Sequence, residues 1–116
     1  MQAPPTLLYF DDEQGAALGL AQAAGLVPAP VQRHRFPDGE IRLRLPDALP
    51  ERVVLLRTLD HPNEKLVDLL LAARTARLLG ARHLTLVAPY LAYMRQDIAF
   101  VPGEAISQRI VGRFLA

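Results

Sequence analysis

Residues 52–88 read RVVLLRTLDHPNEKLVDLLLAARTARLLGARHLTLVA, and this stretch decides the fold. Its first part, Arg52 to Leu59, holds a continuous apolar run of the kind that fills a strand buried on both faces. Asn63 to Leu79 follows as a helix whose broad apolar face includes Leu66, Leu69, Leu70 and Ala73, and Gly80 stops it. His83 to Ala88 (HLTLVA) reads as a second buried strand. Strand, helix and strand in that order predict a βαβ unit, whose crossover is almost always right-handed.

Working outward toward the amino terminus, Asp38-Gly39 is a strong turn signal. Beyond it Ile41, Leu43 and Leu45 alternate with Arg42 and Arg44, a period of two that gives one apolar and one basic face. VQRHRF and EIRLRL are therefore expected to form an antiparallel hairpin, half exposed. Thr6 to Phe10 (TLLYF) is a short strand. Asp11, Asp12 and Glu13 follow it, and then an Ala- and Leu-rich helix, Ala16 to Leu26, which Gly25 and Pro28 break. Carboxylates at a helix start suit the positive end of its dipole. The alternative is a metal site, although three adjacent acids do not converge on one ion. In the other direction a final helix starts near Ile106, with Ile110, Val111, Phe114 and Leu115 expected inward and Arg109 and Arg113 outward. The fold class expected is α/β, a mostly parallel sheet plus an antiparallel hairpin, in one domain spanning residues 1–116.

Composition narrows the function. With 116 residues and 51% apolar content the chain can build one core. Thirteen Lys and Arg nearly balance twelve Asp and Glu, which does not suggest nucleic acid or an anionic membrane as a main partner. Twelve of those cations are arginine and only Lys65 is lysine. Arginine suits bidentate binding of phosphate and carboxylate, but such a bias is more often a habit of GC-rich genomes. There is no cysteine, so disulfides, thiolate metal sites and cysteine nucleophiles are excluded. The longest apolar run, Leu69 to Ala73, falls far short of the ~20 residues a bilayer needs. The start of the chain does not read as a signal peptide, and a cytoplasmic protein is expected.

In open parallel sheets ligands bind at the loops leaving the carboxyl ends of the strands. One such loop is Asp60-His61-Pro62-Asn63. The other, Pro89 to Gly103 (PYLAYMRQDIAFVPG), is long for a connection that typically takes roughly 2–6 residues. It carries Arg95, Gln96 and Asp97 in a row. Arg95 offers a planar fork that matches phosphate oxygens, and Gln96 can both donate and accept. Asp97 could orient the arginine or hold a water on a metal; alternatively, Arg95 and Asp97 form a pair that only ties down the loop. No GxxxxGK[ST] loop, no GxGxxG after a strand and no nucleophile elbow is present. His34, His61 and His83 stand alone, and Ser107, the only serine, reads as a helix cap.

These residues carry a resemblance. FPDGE (Phe36 to Glu40), followed by an alternating strand, resembles the FxDGE segment of ribose-phosphate pyrophosphokinases (phosphoribosyl pyrophosphate synthetases). PYLAYMRQD (Pro89 to Asp97), then GEAIS (Gly103 to Ser107) and an apolar helix, is similar to their PY-x-x-Y-x-RQD segment and the helix after it. Arg57 to Arg77 has the family's strand-loop-helix character between the two. The resemblance covers roughly residues 31–116; residues 1–30 match poorly, because Asp11, Asp12 and Glu13 stand where the family tends to have small residues.

The resemblance implies a phosphoribosyltransferase-like three-layer α/β/α fold. It also implies an enzyme that transfers diphosphate from ATP to ribose 5-phosphate, with Mg2+ bridging the phosphates. Arg95 and Gln96, with Asp97 beside them, would contact ATP. Phe36, Asp38 and Glu40, with Gly39 in their turn, would line the adenine pocket of a neighbouring subunit in a homo-oligomer. The family's metal-binding histidine, catalytic lysine loop and ribose-phosphate loop have no counterpart in these 116 residues. No catalytic and no metal residue is therefore expected here, and the chain is expected to be an amino-terminal portion, inactive alone. The alternative is a family-like regulatory or oligomerisation module without catalysis.

Overall fold

In the computed structural model, residues 3–99 and 101–116 are described. The decisive stretch folds as β5 (Arg52–Leu56), α2 (Pro62–Leu78) and β6 (His83–Val87), with β5 and β6 parallel and Val54 level with Thr85. Before it come β1 (Thr6–Tyr9), a 3-10 turn (Asp11–Glu13), α1 (Gln14–Ala24) and β2 (Val27–Pro30), a second βαβ unit with β1 and β2 parallel. The two units join side by side through β1 and β5, and the sheet order is β2-β1-β5-β6. A separate antiparallel hairpin, β3 (Gln32–Arg35) and β4 (Ile41–Arg44), lies outside this ladder. The chain ends in α3 (Ser107–Leu115).

Alternation along the strands builds two cores from one sheet. Leu7, Tyr9, Val54, Leu56 and Val87 pack on one face with Ala17 and Ala21 of α1. Leu8, Phe10, Val53, Leu55, Leu84 and Leu86 pack on the other with Leu69, Ala72 and Ala76 of α2. A strand apolar at every position needs both faces covered, and one helix on each side makes the three-layer α/β/α arrangement. Leu7 and Leu8 are completely buried, each worth about 1.5–3 kcal/mol relative to an exposed side chain. α2 begins with Pro62 at its first turn, where the missing N–H costs nothing. It ends at Gly80, whose φ of 122° and 2.8 Å approach of a would-be Cβ to the Leu49 carbonyl oxygen admit only glycine.

The structure departs from the sequence reading in four places. β2 was not legible in the sequence because Pro28 and Pro30 argue against a strand. The bonds from Val27 N–H to the Pro5 carbonyl and from Val31 N–H to the Tyr9 carbonyl show how the prolines fit. Alternate residues turn toward β1, so both prolines place their missing N–H on the outer, unpaired side. β6, expected to be fully buried, is a half-buried edge strand in which His83 and Thr85 are exposed. On α3, Val111 and Leu115 are half-buried, but Ile110 and Phe114, expected inward, are 62% and 47% exposed. Leu70 of α2, also placed on the apolar face, is exposed as well.

Candidate functional site

The connections of the two βαβ units leave β1 and β5 in opposite directions, so the order of the sheet reverses between those strands. That switch point is the usual ligand crevice of an open α/β sheet. Here the chain's own charges fill it. Arg57, immediately after β5, is 3% exposed. Its Nη1 donates to Asp12 Oδ1 at 2.5 Å and Glu13 Oε1 at 3.0 Å, and its Nη2 donates to Asp68 Oδ2 at 2.9 Å. The guanidinium lies 4.3 Å from the centre of the Phe10 ring. Glu13 also accepts the Thr58 N–H. Burial disfavours the charge on Arg57, but the hydrogen bonds and charges of Asp12 and Asp68 outweigh it and raise its pKa above the ordinary arginine value.

Asp12 and Glu13 are therefore arginine partners. The three acids lie in the 3-10 turn that leads into α1, as the helix-start reading has it, but no side-chain cap bond forms there, and neither reading anticipated the pairing with Arg57. Among the described residues no group of three His, Cys, Asp or Glu side chains is placed to hold a metal ion.

The FPDGE segment forms the turn of the hairpin. Phe36 N–H donates to the Glu40 carbonyl at 2.8 Å, Gly39 N–H to the Phe36 carbonyl at 2.9 Å and Glu40 N–H to Asp38 Oδ1 at 3.0 Å. Gly39 takes φ 96°, which its lack of a Cβ permits. Phe36 is half exposed, with the His34 ring edge-on at 4.8 Å and the Arg42 guanidinium 5.9 Å from its centre. An aromatic face with Asp38 and Glu40 carboxylates beside it can stack on a base and accept from an amino group. Arg42 and Arg44 are exposed while Ile41 and Leu43 are half-buried, as the alternation predicts.

Arg95, Gln96 and Asp97 lie on the connection between β6 and α3. Arg95 and Asp97 are exposed, and neither makes an ion pair among the described residues. The reading in which they pair with each other to hold the loop is not what the structure contains. Gln96 is half-buried. Its Nε2 donates to the Ile98 carbonyl at 2.6 Å and its own carbonyl accepts the Gln108 N–H, which ties the loop to α3. Upstream, Tyr93 takes φ 61° and donates its hydroxyl to Asn63 Oδ1.

No hydrogen bond or ion pair joins residues 36–40 to residues 95–97 among those described. The first turn of α2 stands between them: Glu64 pairs with Arg35 of the hairpin, and Asn63 with Tyr93 of the loop. Asp68, two turns from the start of that helix, is completely buried and also accepts from Arg33 Nε at 2.9 Å. Sequence reading passed over Arg57 and Asp68. The available signal was Asp68 itself, an acid in step with Ala72 and Ala76 on the buried stripe of a helix, which requires a buried cation.

The family described as the N-terminal domain of ribose phosphate pyrophosphokinase matches residues 6–116. A ribose-phosphate pyrophosphokinase of Saccharolobus solfataricus is 47% identical over 88 residues, covering 74% of this chain and 30% of that protein. One from Methanopyrus kandleri is 41% identical over 110 residues, covering 92% and 38%. The crystal structure of phosphoribosylpyrophosphate synthetase from Mycobacterium smegmatis has the same fold, with TM-score 0.86 at 23% identity over 97% of this chain and 39% of that one. The chain thus spans about a third of the length of the relatives it matches.

Proposed function

Because the chain belongs to the family of N-terminal domains of ribose-phosphate pyrophosphokinase, we propose that it forms the ATP-contacting part of an enzyme that makes 5-phosphoribosyl 1-pyrophosphate. That enzyme moves the diphosphoryl group of ATP to ribose 5-phosphate. The observation that carries the reading is Arg95. It is an exposed guanidinium with no ion pair among the described residues, on the loop leaving the carboxyl end of a parallel strand. Its planar donors match phosphate oxygens, and Gln96 and Asp97 stand beside it.

Phe36, Asp38, Gly39 and Glu40 supply an adenine-lining turn, which would serve a neighbouring subunit of a homo-oligomer. The half-exposed ring supports that division. Catalysis would come from positioning and charge neutralisation. Magnesium ordinarily binds through one or two carboxylates together with substrate phosphates. Here it would arrive with the nucleotide. No helix among the described residues is long and apolar enough to cross a membrane; the cytoplasmic location and the small-molecule partners, ATP and ribose 5-phosphate, are part of the proposal.

Titration of the full-length gene product with ATP tests the reading. Arg95→Ala should weaken binding by about 1.5–3 kcal/mol, the range for a hydrogen bond to a charged group, and unchanged affinity sinks the assignment. The 116-residue chain alone is expected to form no AMP from ATP and ribose 5-phosphate.

A further inference from the structure

We infer that Asp68 is the positioning residue for the nucleotide-binding hairpin, holding β3 through Arg33 with one carboxylate oxygen and the end of β5 through Arg57 with the other. This rests on the reading of Phe36–Glu40 as an adenine-lining turn. The hairpin shares no ladder with the main sheet. Its roots, Val31 and Leu45, are buried in the core below α2. Toward the tip, its inner face meets α2 through Leu43 and through two arginines: Arg33 reaches Asp68, and Arg35 reaches Glu64. A two-stranded hairpin is marginal on its own, so the direction in which its tip points is set by these attachments.

The two attachments differ in strength. Arg35 and Glu64 are an exposed pair, of a kind that contributes little. Asp68 is wholly buried, and its two oxygens each accept one charge-assisted bond, both of 2.9 Å. A buried carboxylate with both partners fixed has one geometry available. Arg57 is itself held by Asp12 and Glu13. The turn that carries Phe36 is thereby referenced through Arg33, Asp68 and Arg57 to the carboxyl end of β5, and onward through Asp12 and Glu13 to that of β1.

Asn at position 68 would set an amide N–H2 against an arginine donor, whereas Glu keeps the charge. Arg33→Met keeps the aliphatic stem and leaves the Asp68–Arg57 pair intact, so it serves where the Asp68 variants fold poorly. The first measurement is hydrogen exchange of the nucleotide-free chain. In Asp68→Asn and Arg33→Met, the amides of Phe36, Gly39 and β3 should exchange about tenfold faster, with β1 and β5 unchanged in Arg33→Met. The second is steady-state kinetics of the full-length gene product. The KM for ATP should rise about tenfold, kcat and the KM for ribose 5-phosphate should stay within about twofold, and Asp68→Glu should restore part of the loss.

Hairpin amides that keep wild-type rates in Arg33→Met overturn the inference, and they do so even where Arg95→Ala still weakens ATP binding. A uniform fall in kcat, without the split in KM, marks Asp68 as merely structural and overturns it too. A loosened hairpin with an unchanged KM for ATP overturns it by removing the turn from the nucleotide site, a failure of the underlying reading that exchange rates alone would not produce.

Discussion

Arg57 leaves β5 into a crevice where Asp12, Glu13 and Asp68 surround it, and its side chain keeps 4% of its surface exposed. Arg95, on the loop that leaves β6, is exposed and has no ion pair among the described residues. Both stand beyond the carboxyl end of the same parallel sheet, where ligands of such folds bind. The position alone therefore does not mark a binding arginine. What separates the two is whether the protein has already supplied the anions. The central crevice, where fold-level analogy would look first, is closed by internal charge, and the peripheral loop is left open.

The comparison breaks first at Asp68. Asp68→Ala leaves Arg57 and Arg33 without their shared buried partner and should lower unfolding free energy by about 3–5 kcal/mol. Urea titration reads this directly, and a loss under about 1 kcal/mol, the value of a surface pair, would mean that the crevice is not closed as described. Arg95→Ala should show the reverse pattern: stability within about 0.5 kcal/mol of the parent, with the loss confined to ATP affinity.

Glu13→Ala sharpens the first half. It strips one acceptor from Arg57 and leaves the Thr58 N–H unpaired, at a cost of about 1–2 kcal/mol. The smallest effect belongs to Asp60. The hydrogen bond from Lys65 lowers its pKa against an opposing desolvation, and the Lys65 charge adds a lesser lowering. A carboxyl depressed in the folded state stabilises above its unfolded pKa and loses that contribution as pH falls through the folded value. Asp60→Asn should therefore narrow a small difference in Tm from the parent as pH drops below about 4, and a difference that grows toward low pH would reverse the assignment.

Much of this was readable from the chain because period and punctuation agree. RVVLL and HLTLV flank a helix of the right length to cross between them, and FPDGE sits where the alternation of IRLR needs a turn. The residues that failed to declare themselves did so for physical reasons. VPAP hides a strand because prolines at alternate positions can face outward without breaking the ladder. Ile110 and Phe114 carry a helical period, but periodicity does not say whether a surface is present to receive it. Arg57 sits in an apolar run and Asp12 far from it in sequence, so their pairing is a tertiary fact. The candidate site was legible as two motifs. Its support, the Arg33–Asp68–Arg57 bridge, was legible only through the oddity of an acid inside VDLLL.

The prolines of β2 also decide how the sheet can grow. On its outer side β2 offers carbonyls at positions 28 and 30 but no N–H, so a strand laid there would find half of a ladder missing. β6, at the other margin, keeps its donors. The sheet is terminated on one flank and extensible on the other, and any strand that joins it edge-on, from this protein or another copy, has a single address.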